Sequence, residues 1–253
     1  MPGKFTVTYL AHSGFALQLE DTLLVFDDAR GTPPEGAGPS EGYITKETIA
    51  AQQRTVYFVS HSHGDHFNPA IYDNAQAASV YYVLGDDLPD AHSGIRLSPG
   101  QSAQVGGAHI EAFASTDQGV SFLITIDGYT IFHAGDLNLW HWRQESTPKE
   151  VEQAEREYIE AVTPLIGREI DLAFFPLDPR MGEMYDAGAQ HFIMHVRPHV
   201  LIPMHFWDRA DVPEDFARRN RTRHVEVLAM TQPGQSLTLL KDEAGQIVIN
   251  PQG

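Results

Sequence analysis

The chain has 253 residues, of which 42% are hydrophobic, and this composition favours one large folded domain, residues 1–253. It contains no cysteine, so disulfides, iron–sulfur clusters, thiolate zinc sites and a cysteine nucleophile are excluded. A formal net charge of -17 repels phosphate backbones, which makes nucleic acid a poor default partner. Neither a signal segment nor an apolar run of the roughly 18 residues that span a bilayer is seen, so we expect a cytoplasmic protein without membrane contact.

Short runs rich in β-branched and aromatic residues predict strands in the first part of the chain. These strands are residues 5–10, 15–20, 22–27 and 55–60. Glu20 and Asp21 predict a hairpin turn between the second and third strands. The fourth run is apolar throughout, as expected of a strand that is buried on both faces.

Loop and helix signals separate these strands. The Gly/Pro-rich residues 31–42 predict a loop, either a lid over a site or a plain surface loop. Residues 45–53 predict a short helix that either Thr45 or Thr48 caps. A second short helix is expected to begin at Pro69.

Further along the chain, strands alternate with helices. Strands are predicted at residues 79–84, 95–105, 109–115, 119–127, 129–136, 171–177, 199–206, 224–230, 235–240 and 246–250. Helices are predicted at residues 148–166, 185–196 and 213–220. Asp127 and Gly128 are typical of a tight hairpin turn, and Pro164 should end or kink its helix. This order fits helices packed outside two sheets.

The stretch HSHGDH, residues 61–66, follows the buried strand 55–60. His61 and His63 are two residues apart, so in an extended segment both imidazoles reach one ion. Gly64 allows the backbone to turn, after which Asp65 and His66 can bind a second ion. A polar loop that is rich in histidine by chance is the alternative, and the density of ligands disfavours it.

Three further stretches accompany this one: YLAHSGF at 9–15, FHAGD at 132–136 and IPMHFW at 202–207. Together they resemble the metallo-β-lactamase superfamily, whose signature HxHxDH is matched by HSHGDH. The chain resembles its branch of simple intracellular hydrolases, including lactonase-like enzymes that act on phosphorylated sugars. The resemblance implies an α/β fold, the four-layer αββα sandwich, with a dinuclear site along one edge of the sheets.

The resemblance also assigns ligands to the two ions. It puts His61 and His63 on the first metal, and Asp136 between the two metals. The second metal receives Asp65, His66 and His205. The superfamily usually has another histidine for the first metal between the first motif and the bridging aspartate. In that stretch His109 comes too early, so Asp117 is the predicted replacement.

This site predicts a hydrolase that binds two divalent ions, zinc, manganese or iron, with Asp65 and Asp136 as its catalytic carboxylates. A metal-bridging hydroxide would attack a small anionic ester, lactone or phosphoester. Substrate contacts are predicted for Arg180, His141 and Trp140, although a salt bridge to Asp178 is an equal alternative for Arg180. A carboxylate at residue 117 would make manganese or iron more competitive with zinc.

Two other functions stay open from the sequence. One is a di-iron redox or metal-binding module that does not hydrolyse, and the other is an RNA-processing nuclease of the same superfamily. The small-molecule substrate is the preferred partner. A homo-oligomer is one alternative for the assembly.

Overall fold

The described residues are 3–74, 79–142, 145–220 and 224–250. In the computed structural model they form two mixed sheets flanked by helices, which confirms the predicted α/β sandwich. Among these residues, no helix is long and apolar enough to cross a bilayer.

Fifteen strands and four α-helices make up the described fold. The strands are β1 (Lys4–Ala11), β2 (Gly14–Gln18), β3 (Thr22–Phe26), β4 (Arg54–Val59), β5 (Val80–Gly85), β6 (Ile95–Leu97), β7 (Ser102–Val105), β8 (Ala108–Ala114), β9 (Val120–Ile126), β10 (Tyr129–His133), β11 (Leu172–Pro176), β12 (Val200–Met204), β13 (Glu226–Val227), β14 (Ser236–Lys241) and β15 (Ile247–Ile249). The α-helices are α1 (Lys46–Ala50), α2 (Pro148–Val162), α3 (Ala187–His195) and α4 (Asp211–Arg219). Short 3-10 helices occupy Pro39–Glu41, Pro69–Asn74, Thr163–Leu165 and Pro179–Met184.

The first sheet has the order β15-β14-β1-β2-β3-β4-β5-β6 and the second has the order β13-β12-β11-β10-β9-β8-β7. In the first, β3 to β6 run parallel, and β1 has the same direction because both β1 and β3 pair antiparallel with β2. In the second, β10 to β13 run parallel. Each sheet therefore collects several strand carboxyl ends at one edge.

Alternating residues of the first sheet enter two separate cores. On β3, Leu24 and Phe26 belong to the large core that also holds the residues of the second sheet. Leu23 and Val25 face the other way, into a smaller core with Ile49 of α1. The period of two explains how one strand can be apolar on both faces, as the sequence predicts for buried strands.

Turn and cap signals place several element ends correctly. Asp127 and Gly128 both have positive φ values, 50° and 81°, and join β9 to β10. The Thr45 hydroxyl accepts a hydrogen bond from the Thr48 amide, so Thr45 is the cap of α1. Pro164 lies in the 3-10 turn that follows α2, which confirms that the α-helix ends before it.

The prediction of one strand over residues 95–105 was wrong. The structure has β6 in the first sheet and β7 in the second, with Pro99 and Gly100 in the turn between them. Gly100 has a φ of 85°, which extended β structure does not allow. The predicted strand 224–230 was also too long, because only Glu226–Val227 pair.

Candidate metal centre

The predicted ligands lie where strands of common direction end. His61 follows β4, Asp136 follows β10 and His205 follows β12. Ligand sites in α/β sheets form at the carboxyl ends of parallel strands, because the connecting loops meet there. His12 joins them from the turn after β1, and its carbonyl accepts a hydrogen bond from the His205 amide at 3.2 Å.

Two compact groups of side chains result. We define the three-residue group as His61, His63 and Asp136, and the four-residue group as His12, Asp65, His66 and His205. Within each group the ligand atoms all lie within 4.8 Å of one another. The predicted residues from His61 to His205 thus converge as the sequence predicts, His12 joins them without having been assigned, and the role of all of them as metal ligands stays a prediction.

Asp136 belongs to the three-residue group, but its second carboxylate oxygen faces the four-residue group. Its Oδ2 lies 3.5 Å from His61 Nε2. Its Oδ1 lies 3.1 Å from His66 Nε2 and 3.4 Å from His205 Nε2. This is the arrangement that a carboxylate needs if it is to bridge two ions.

Several buried polar atoms in the cluster face one another without forming a well-aligned hydrogen bond. They include His12 Nε2, which lies 3.4 Å from Asp65 Oδ2, and His66 Nε2, which lies 3.1 Å from Asp136 Oδ1. Imperfectly paired buried atoms are costly, so a cation among them would relieve part of that cost. Imidazole nitrogen and carboxylate oxygen suit zinc, manganese and iron, and the residues therefore fit a divalent metal.

Carboxylates behind two of the imidazoles fix which ring nitrogen faces the cluster. Asp27 Oδ2 lies 2.7 Å from His66 Nδ1, and Asp178 Oδ2 lies 3.2 Å from His205 Nδ1. Each carboxylate favours a proton on Nδ1, which leaves Nε2 free for a metal. His61 has a hydroxyl instead, because Ser60 Oγ lies 2.9 Å from its Nδ1.

The charged groups of the cluster shift one another's pKa values. Burial lowers the pKa of His66, but the Asp136 and Asp27 carboxylates outweigh it and raise the pKa to about 10. Burial raises the pKa of Asp136, but the neighbouring imidazoles, His66 first, hold it well below its usual range. The His12 imidazole, whose Nε2 lies 3.4 Å from Asp65 Oδ2, lowers the pKa of Asp65. A metal would therefore displace a proton from His66 and meet carboxylates that are already ionised.

Backbone strain is concentrated at this site. Of the seven non-glycine residues with positive φ in the described part of the chain, four border the cluster: His12, Asp27, His205 and Trp207. Such conformations cost about 1–3 kcal/mol each and persist where the surrounding structure holds them in place. Their grouping here indicates that side-chain direction at the site is set by the fold.

Two glycines let the sheets approach each other at the site, and they are not the one that the motif suggests. A Cβ on Gly119 would lie 2.0 Å from Ser60 O, and one on Gly135 would lie 2.7 Å from Ser60 Cβ. Both residues have positive φ. Gly64 lies in the turn that the motif predicts, but it lacks a positive φ and has open space around it, so this turn does not depend on glycine.

We expect Gly119→Ala to destabilise the fold by about 2–5 kcal/mol, because it adds left-handed strain to a clash with the backbone. Gly128→Ala is the matched control, since Gly128 also has a positive φ of 81° but nothing lies within 4 Å of its Cβ position. The control should lose only about 1–2 kcal/mol. Urea unfolding of both variants measures the difference, and equal losses would show that the close approach contributes nothing.

Asp117 lies apart from both ligand groups. It is exposed in the loop between β8 and β9, and it lines a cavity of about 360 Å³ together with His63 and Asp136. Its role as a metal ligand stays a prediction. The structure does show why the sequence pointed to it, since the loop opens onto the predicted site.

The three predicted substrate-contacting residues have different surroundings. Arg180 and Trp140 line the same cavity as Asp136. The Asp178 carboxylate accepts from Arg180 Nε at 2.9 Å, so the salt bridge that was the alternative is present beside the cavity. His141 is buried, with its Nε2 3.1 Å from Glu155 Oε1 on α2. Contact of His141 with a substrate stays a prediction, which this geometry does not favour.

Sequence reasoning did not assign Asp27, Asp178 or His12 to the centre as ligands or as their supports. Asp27 and Asp178 share one signal, an acidic residue within two positions of the end of a buried apolar strand. His12 lies within the stretch YLAHSGF, which is part of the resemblance. The signals were present, but only the strand order shows which loops meet.

Two mixed sheets between helices, with a histidine and aspartate cluster at their strand ends, define the metallo-β-lactamase fold class. The chain belongs to the Beta-lactamase superfamily domain family, whose model matches residues 6–205.

Individual relatives agree with this placement. The chain is 29% identical over 271 residues to a UPF0173 metal-dependent hydrolase of Nitratidesulfovibrio vulgaris, with 94% of this chain and 97% of the relative covered. It is similar in structure to Igni18, a metallo hydrolase from the archaeon Ignicoccus hospitalis, with a TM-score of 0.65, 21% identity and coverage of 93% and 98%. It is also similar to CmlA, a diiron β-hydroxylase from Streptomyces venezuelae, with a TM-score of 0.62, 12% identity and coverage of 95% of this chain and 55% of that one.

Proposed function

We propose that this protein is a dinuclear metal-dependent hydrolase that acts on a small anionic ester, lactone or phosphoester. The observation that carries the proposal is the position of Asp136, which offers one carboxylate oxygen to each of two ligand groups beside an open cavity. Relatives that carry the name metal-dependent hydrolase support hydrolysis as the class of reaction.

The three-residue and four-residue groups would hold two divalent ions. When bound, such ions lower the pKa of water toward neutrality and polarise the substrate's carbonyl or phosphoryl oxygen. Imidazole and carboxylate donors do not choose among zinc, manganese and iron, so all three stay in the proposal.

The chain's own residues orient the reaction. Asp65 is partly exposed toward the cavity, with its Oδ2 3.4 Å from His12 Nε2. Its ionised carboxylate can therefore orient a water molecule at the edge of the cavity. Trp140 donates its indole N–H to the Asp136 carbonyl at 3.0 Å, which fixes the loop that carries the bridging carboxylate.

The preference for an anion rests on Arg180. Its guanidinium is half exposed, lies 4.6 Å from the Trp207 ring centroid, and borders the cavity that Asp136 lines. An arginine held by a carboxylate and an aromatic face loses little freedom when it pairs with a carboxylate or phosphate of the substrate. A lactonase-like reaction on a phosphorylated sugar belongs to this substrate class.

Two alternatives from the sequence are outcomes of the same test. A redox centre has one point in its favour, the fold that this chain shares with a diiron β-hydroxylase. A nuclease is disfavoured by the net charge of -17, which repels a phosphate backbone.

The test is a panel of matched anionic and neutral esters, lactones and phosphoesters, measured before and after chelation and after return of zinc, manganese or iron. We expect chelation to abolish hydrolysis and one of the metals to restore it. Arg180→Gln should raise KM for anionic substrates about tenfold and leave that for neutral ones unchanged, with Arg197→Gln as a control in another loop. Full activity after complete metal removal would contradict the proposal, and visible absorption by bound iron without hydrolysis would favour the redox centre.

A further inference from the structure

The two ligand groups are unequal in the number of donors that the protein supplies. The four-residue group supplies three imidazoles and a carboxylate, and Asp136 Oδ1 adds a fifth donor. The three-residue group supplies two imidazoles and Asp136 Oδ2. More protein donors leave fewer positions for water, and an ion is then held more tightly.

The hydrogen bonds inside the two groups differ in geometry. His66 Nε2 lies 3.1 Å from Asp136 Oδ1 and His12 Nε2 lies 3.4 Å from Asp65 Oδ2, but neither pair forms a well-aligned hydrogen bond. In the three-residue group, His61 Nε2 and His63 Nδ1 lie 3.0 Å apart with hydrogen-bond geometry. A cation gains more where the donors lack a well-formed hydrogen bond of their own.

The two groups also differ in the side chains that orient their imidazoles from behind, and the four-residue group is again the better supplied. The four-residue group has a carboxylate behind His66 and another behind His205. His12 is enclosed too, because its ring centroid lies 4.1 Å from that of His205 and 4.7 Å from that of Trp207. In the three-residue group, His61 has only the Ser60 hydroxyl behind it. Each carboxylate behind a ligand typically contributes a factor of about 10–100 in metal affinity.

Asp117 does not correct this imbalance. It is exposed, and its carboxylate lies outside the compact three-residue group. The three-residue group therefore lacks a fourth protein donor among the described residues.

We propose that the centre is asymmetric: the four-residue group, with His12 as a ligand, holds one resident ion, and the three-residue group binds a second ion weakly and exchangeably. The proposal rests on the metal centre of the proposed function but not on hydrolysis. Metal availability would then control the dinuclear state, because the second ion is lost first when free metal falls.

In the experiment, metal is removed by chelation, and circular dichroism checks that the protein is still folded. The protein is then titrated with Mn²⁺ and, separately, with Zn²⁺. Calorimetry and native mass spectrometry follow the binding. We expect two binding events, with Kd values that differ about a hundredfold or more. Protein purified without added metal should carry one ion. The absorption spectrum of bound Co²⁺ gives a second readout, since the first equivalent should show the ligand field of the four-residue group.

Matched variants assign each event to its group. His12→Gln should weaken the first event at least about tenfold and leave the second nearly unchanged. His63→Gln should remove the second event and leave the first. Circular dichroism and thermal unfolding show whether each variant is folded, and Asp117→Asn should change neither event by more than a few fold.

Three results would decide against the proposal. Two ions of equal affinity would overturn the asymmetry while leaving the proposed function standing. An unchanged first event in folded His12→Gln would remove His12 from the ligands. Failure to bind any divalent ion would overturn the proposed function as well.

Discussion

Asp136→Ala is expected to lower hydrolysis by about a thousandfold or more, which corresponds to roughly 4 kcal/mol of transition-state stabilisation. The reason is that Asp136 is the residue whose two oxygens face both ligand groups, at 3.1 Å from His66 Nε2 and 3.5 Å from His61 Nε2. Its loss removes a donor from each ion at once. The measurement is kcat on the best substrate of the panel, together with the number of bound ions.

Asp136→Asn separates charge from shape. It keeps one oxygen acceptor and nearly the same volume, so it should fold like the wild type while it holds fewer ions. A variant that retained both ions and a normal rate would show that Asp136 does not bridge. Asp65→Asn is the variant to compare with Asp136→Asn. The Asp65 carboxylate is also predicted to be catalytic, but it belongs only to the four-residue group.

Asp27→Ala is expected to cost about 3–5 kcal/mol of folding free energy, because it leaves buried partners unpaired. Asp27 accepts from the Ser60 amide at 2.7 Å and from the Ser60 hydroxyl at 2.6 Å, and it lies 2.7 Å from His66 Nδ1. The loss should also weaken metal binding about 10–100-fold, since His66 is no longer oriented. Urea unfolding of the chelated protein and a metal titration measure the two effects.

The neighbouring Asp28 is the matched control. It too is buried, but burial raises its pKa from 3.8 to about 6, and its carboxylate accepts from the Arg30 amide at 3.3 Å. An acid whose pKa is higher in the folded state destabilises the fold as pH rises from about 4 to about 6. Asp28→Asn should therefore cost less than about 1 kcal/mol at pH 7 and flatten stability over that interval. Equal losses for the two aspartates would contradict the assignment of Asp27 as the support of His66.

The sequence by itself predicted the fold class, which the structure confirms, and a main ligand set whose metal-binding role stays a prediction. Apolar strands, hairpin turns and helix caps are local signals, so β9, β10 and α2 could be predicted from a few neighbouring residues. The motif HSHGDH is also local, and the resemblance that it carries extends to Asp136 and His205 at later strand ends. The split of residues 95–105 into β6 and β7 was missed, because which sheet a strand joins depends on partners far away in the chain.

Only the tertiary structure decided what stands behind and beside the ligands. The sequence cannot show that Asp27 lies behind His66, that Gly119 must admit the Ser60 carbonyl, or that His12 completes one group while Asp117 stays outside both. Each of these is a contact between strand ends or turns in different parts of the two sheets. Strand order and backbone direction decide which of these side chains meet. Residue type alone does not show which loops lie side by side in the folded chain.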